Sequence, residues 1–193
     1  MPPKVKTDRE AILKASFEVA KSEGISAITA QSVSKVLKTS VAPIFRVFQT
    51  VEELRVATVE EIDQFHTEYI KNYPTTSSEF LTYGIAYIQF AKEYPRLFEA
   101  IMLPCPTDIG ERMTGSLAFA VNSASTLSGL DFESSKTFFL NMWIYTHGIA
   151  GLVYKGSLVL SEDDVQALLK TAYDAFFENC KQKSDNGKEE NLW

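Results

Sequence analysis

Residues Thr29–Phe48 read TAQSVSKVLKTSVAPIFRVF. Two short apolar runs flank Lys38-Thr39-Ser40, and the second run carries a proline, Pro43, near its start. Thr29 is a good helix N-cap. Val33, Val36 and Leu37 recur at three- and four-residue spacing, so a helix is expected over 30–37 with those side chains inward. A tight turn over 38–40 follows. A second short helix is expected over 41–47, capped by the Ser40 hydroxyl, with Pro43 in its first turn, where a missing N–H costs little. Ile44, Val47 and Phe48 would face inward and Arg46 outward. Two short helices joined by such a turn form a helix-turn-helix unit, whose second helix enters the major groove of DNA. Small Val41 and Ala42 allow close approach, and Arg46 can reach phosphate or a guanine edge. N–H groups at the helix start, and Thr29 at the start of the preceding helix, suit phosphate oxygens.

Working outward, a supporting helix is expected over 8–23, because Ile12, Leu13, Ser16, Phe17 and Ala20 make one face and Gly24 suits a left-handed cap. Capping-box spacings recur at Thr7/Glu10, Thr50/Glu53 and Thr76/Glu79, with a looser relative at Ser161/Asp164. A long helix is expected from 50 to about 72. The NYPTTSS segment then breaks the chain. Further helices are expected over 77–93, 95–102, 107–128, 133–156 and 161–182. Alternating strand patterns and hairpin turns are weak, so the expected fold class is all-α.

Bulk properties narrow the function. The chain has 193 residues, 45% hydrophobic and 23% charged, which fits a folded globular protein. The net charge is −6, but unevenly spread: residues 1–58 hold nine Lys/Arg against six Asp/Glu, and the remainder ten against nineteen. A basic end on an acidic body fits a nucleic-acid-facing N-terminal part. Two cysteines, Cys105 and Cys180, offer neither a disulfide framework nor a zinc site. The start MPPKVKTDRE lacks the apolar core of a signal peptide, so a cytoplasmic location is expected. The apolar run Thr137–Tyr154 carries Asn141, Thr146 and His147 and is expected to be buried within protein rather than membrane.

The segment TAQSVSKVLKTSVAPIFRVFQTVEEL, Thr29–Leu54, resembles the DNA-binding segment of the TetR family of transcriptional regulators. Thr29, Val33, Ser34, Val36, Ser40, Phe45, Phe48, Glu53 and Leu54 fall on the family's positions, as do Phe17 and Gly24 in the preceding helix. The resemblance covers about 60 residues. Lys38 stands where the family has a turn glycine, Thr39 replaces valine, Phe45 tyrosine, Arg46 histidine and Val51 lysine. Phe45 and Val51 thereby lose polar groups usually offered to phosphate, while Arg46 and Lys38 supply charge. The DNA-contacting set implied is Thr29, Gln31, Lys38, Thr39, Ser40, Val41, Ala42, Pro43, Phe45 and Arg46.

The resemblance also implies a DNA-binding domain over 6–66, with its motif at 29–48, and a ligand-binding and dimerisation domain over 67–183. A polar tail over 184–193 follows, expected to fray. A palindromic operator and a homodimer through helices 133–156 and 161–182 are implied. Gly148, Gly151 and Leu152 share one side of the first of these helices; Leu168, Leu169, Ala172 and Phe176 form a stripe on the second. A small apolar or aromatic effector is expected against Tyr83, Tyr87, Phe98, Met102, Phe119, Trp143 and His147, with Phe90, Met113 and Tyr154 nearby. No phosphate loop, zinc-protease motif or nucleophile elbow occurs, so no catalytic residue, metal or cofactor is expected. The competing reading is an all-helical carrier or enzyme with a vestigial DNA-binding motif.

Overall fold

The computed structural model describes residues 8–74, 78–102, 126 and 129–189. Among the described residues there are helices and no strand: α1 (Arg9–Glu23), a 3-10 turn (Ile25–Ala27), α2 (Ala30–Leu37), α3 (Ala42–Val47), α4 (Val51–Lys71), α5 (Glu79–Glu93), α6 (Pro95–Met102), α7 (Phe132–Tyr154) and α8 (Glu162–Glu189). The helix expected over 107–128 lies outside them except for Thr126. No helix of the described residues is long and apolar enough to cross a membrane.

The helix starts follow from local chemistry. The Asp8 side chain accepts from the Ala11 N–H and caps α1; Thr7 is outside the described residues. Thr50 Oγ1 accepts from the Glu53 N–H, and the Glu53 carboxylate accepts from the Gln49 N–H at 2.7 Å, one residue before the expected partner. At α8 the Ser161/Asp164 pair is a complete reciprocal cap. Ser161 also donates through its hydroxyl to the carboxylate, and these bonds lower the Asp164 pKa. Ser78 accepts from the Leu81 N–H and its carbonyl holds the Thr82 N–H, starting α5.

The chain forms two compact units: Met1–Tyr69 with Glu93–Cys105, and Ile70–Lys92 with Pro106–Trp193. Each has its own core. In the first, Ile12, Ala20, Ile28, Val33, Ile44, Phe48, Leu54 and Ile62 are buried. Ser16 and Thr58 are also buried; Thr58 donates to the Leu54 carbonyl, so Ser16 donates to Thr58 across 2.7 Å. This polar pair is satisfied, which removes most of the cost of burying it. α6 belongs to this unit although it follows α5 in sequence. Tyr94, just ahead of it, sets its ring edge-on to Phe65 and Tyr69 and receives Lys21 on its face, while Arg96 donates to the Glu23 carbonyl.

In the second unit α5, α7 and α8 share an aromatic core. Phe80, Phe138, Tyr173 and Phe177 meet at centroid distances of 5.2–6.0 Å, mostly edge to face. Gly84 permits close approach of α5: a Cβ there would sit 3.0 Å from Leu169 Cδ1. α8 continues to Glu189, beyond the expected end at 182 and through part of the segment read as a tail.

Candidate nucleic-acid interface

The Thr29–Phe48 segment forms the expected pair of short helices, and its details differ instructively. Thr29 is extended and caps α2. Its Oγ1 accepts from the Ser32 N–H, and Ser32 Oγ accepts from the Thr29 N–H, so both residues close a reciprocal cap. The Thr29 hydroxyl also donates to Ser32 Oγ. Thr29 therefore spends its polar groups on starting α2. Ser32 stands where the usual capping partner is Glu or Gln, so the residue type does not mark it.

Lys38 ends α2 in the left-handed region, φ 53° and ψ 43°, and its N–H reaches the Lys35 and Ser34 carbonyls. It is the non-glycine residue with positive φ among the described residues. A residue with a Cβ is disfavoured there, which accounts for the strain at the position where the resemblance has glycine. Gly24 also has positive φ, 95°, but with ψ 165° it lies in an extended glycine region rather than the expected left-handed helical one.

α3 corrects one expectation. It begins at Ala42, its N-cap is Val41 with helical backbone angles, and no side chain caps it. Ser40 is exposed one position too early to serve. Nor does the start of α3 present a row of N–H groups: Pro43 has none, and the Ile44 and Phe45 N–H groups turn back to the Val41 carbonyl. The expected anion site at this helix end is thus not formed by those amides.

The inner face is as read for Ile44 and Phe48, both fully buried, with Val47 half-buried. Arg9 from α1 lies over the Phe48 ring, 5.5 Å from its centroid, and adds a cation–π contact that sequence spacing could not reveal. On α2, Val33 is buried but Val36 is 47% exposed, which reverses its expected inward orientation. An eight-residue helix makes barely two turns, so one stray apolar residue shifts the phase inferred from periodicity.

The exposed residues from α2 through α3 are Gln31, Lys35, Val36, Lys38, Ser40, Ala42, Phe45 and Arg46. Thr29, Thr39, Val41 and Pro43 are half-buried. Three cations face solvent here, and no Asp or Glu occurs between Glu23 and Glu52. Lys35 joins the expected Lys38 and Arg46, and that acid-free interval marks it.

The proposed effector residues are only partly assembled. Tyr87 on α5 and His147 on α7 meet at 2.8 Å between Oη and Nδ1, and the Trp143 and His147 rings stack at 5.2 Å. Burial raises the Tyr87 pKa and lowers that of His147, which favours the neutral form of each. Tyr83 is partly exposed on the same helix as Tyr87. Phe98 is fully buried, but in the first unit. Phe90 is buried in the second. The Met102 side chain, Met113 and Phe119 lie outside the described residues.

α7 carries a second exposed surface. Leu140, Trp143, Ile144 and Leu152 are open to solvent in the single chain, and Gly148 on the same side has open space where a Cβ would be. The run Thr137–Tyr154 is therefore buried on one side only. On the α8 stripe, Leu169 and Ala172 are intrachain core, while Leu168 and Phe176 are half-buried.

Among the described residues the elements are all helical, and the N-terminal unit contains a helix-turn-helix. The comparison with solved structures agrees at the level of fold. The chain is similar to a structure described as "putative TetR-family transcriptional regulator from Rhodococcus sp.", with a TM-score of 0.51 and 17% identity, over 90% of this chain and 100% of that one. No family model matches the sequence, and no curated protein matches it significantly.

Proposed function

We propose that this protein is a sequence-specific DNA-binding transcriptional regulator of the TetR type, acting as a homodimeric repressor. The observation that carries the reading is the helix-turn-helix with Lys35, Lys38 and Arg46 exposed and no carboxylate from Gly24 to Val51, on a TetR-like fold. Such a surface suits a polyanion in an otherwise acidic chain. Lys38 and Arg46 are assigned to phosphate or base edges, with Gln31, Ser40, Ala42 and Phe45 beside them. Thr29 is assigned to holding α2 rather than to direct contact.

The exposed apolar side of α7 supports a homodimer, since monomeric proteins rarely leave contiguous apolar surface uncovered. A two-fold dimer places two heads on two half-sites about 34–36 Å apart, one helical turn of DNA. A small aromatic or apolar effector is proposed to bind at Tyr87, Trp143 and His147 and to weaken operator binding. That effect is a coupling free energy between two sites. The protein is read as a regulator without catalytic residues, metal or cofactor.

Selection of bound sequences from random duplex DNA tests this reading. The expected result is a palindromic pair of half-sites one turn apart, recovered from the wild-type protein. Recovery of unrelated sequences, or none at low salt, would overturn it.

A further inference from the structure

Arg55 lies on α4 one turn after its start, and its side chain reaches away from its own helix. Nε and Nη2 both donate to the Ile28 carbonyl, at 3.2 and 2.9 Å. Nη2 also lies 3.3 Å from the Ser26 carbonyl, and Nη1 3.3 Å from Glu52 Oε2 on the same helix. Ser26 belongs to the 3-10 turn, and Ile28, fully buried, immediately precedes Thr29, the cap of α2. The planar fork of a guanidinium holds this geometry; a lysine ammonium, a single point of charge, cannot donate along all these directions at once. The Arg55 donors are thus turned onto carbonyls and a carboxylate of its own unit. α4 itself runs on to Lys71, past the division between the two units.

We propose that Arg55 is a positioning residue for DNA recognition: it ties α4 to the backbone that starts α2, and so fixes the orientation of the α2–α3 pair without touching DNA. The proposal rests on the DNA-binding reading above. The competing use of the same cation is a direct phosphate contact.

The test compares Arg55→Lys and Arg55→Gln with wild type in the full chain. One readout is affinity across a salt series for a selected duplex and for a random-sequence duplex. The other is amide hydrogen exchange without DNA. The expected result is that both variants lose about tenfold or more on the selected duplex. Affinity for random duplex and the salt slope stay as in wild type. The amides of 26–33 exchange faster while those of α1 do not. Rescue by lysine, with the slope reduced by about 0.9 in the glutamine variant, would make Arg55 a phosphate contact and overturn the proposal. Unchanged exchange at 26–33, or an equal rise throughout α1, would overturn it as well. If wild type binds neither duplex, the regulator reading fails by itself, and the exchange result alone decides whether the tie exists.

Discussion

The α2–α3 surface and the outward side of α7 both expose apolar side chains, but they differ in charge. Around Val36 and Phe45 the head exposes Lys35, Lys38 and Arg46. Around Leu140, Ile144 and Leu152, α7 has no charged residue from Thr137 to Tyr154. Cations beside small and aromatic groups fit a polyanion with grooves. An uncharged side with glycines fits another apolar surface, where burial yields roughly 25 cal/mol per Å² and any charge would be penalised. The same residue class, exposed, therefore has different meanings according to what surrounds it.

The contrast is broken most severely by putting a charge on the apolar side. Ile144→Asp is expected to weaken self-association at least 100-fold, about 3 kcal/mol, in sedimentation equilibrium. Its helicity should stay that of wild type because Ile144 is exposed in the single chain. Unchanged association would remove α7 from the interface.

Acid tests the burial of His66 on α4. Burial lowers the His66 pKa to about 4, against an ordinary value of 6.5. The unfolded chain then binds the proton more readily. The stability that neutral His66 contributes is complete above pH 6.5 and is lost as pH falls toward 4, up to about 3 kcal/mol. Urea titrations at a series of pH values should show this decline, and His66→Gln should flatten it. A wild-type stability that rises over that range would contradict the assignment.

Two smaller changes separate support from contact within the head. Thr29→Ala removes a reciprocal cap and should cost about 1 kcal/mol in urea denaturation. Its salt slope for DNA binding should match wild type; a shallower slope would restore Thr29 as a phosphate contact. Lys38→Gly relieves a left-handed residue and should stabilise the fold by about 1 kcal/mol, while weakening DNA binding. A variant that is less stable would show that Lys38 is held by more than its backbone.

Much of this arrangement was legible in residue order. The all-helical class, the bounds of α1 and α2, and the burial of Ile44 and Phe48 follow from spacing and caps. The failures occur where a pattern is short or a partner distant. Val36 sits on a helix too brief to fix its own phase. Ser40 is one residue too early to cap α3, because the turn before the helix extends through Val41. The end of α8 carries Ser184, Asp185, Asn186 and Gly187, all weak helix formers, so composition points to a frayed tail where the helix continues. The partners of Arg55 are backbone carbonyls 27 and 29 residues away, which no side-chain pattern encodes.

The central claim is that the α2–α3 surface binds DNA through Lys38 and Arg46. The most direct measurement is fluorescence anisotropy of a selected duplex over a salt series, for wild type and for the Lys38→Ala/Arg46→Ala double variant. The account predicts lower affinity in the variant and a slope of log K against log salt shallower by up to about 1.8, as expected for two lost phosphate contacts. Equal affinity and equal slope in the two proteins would contradict it.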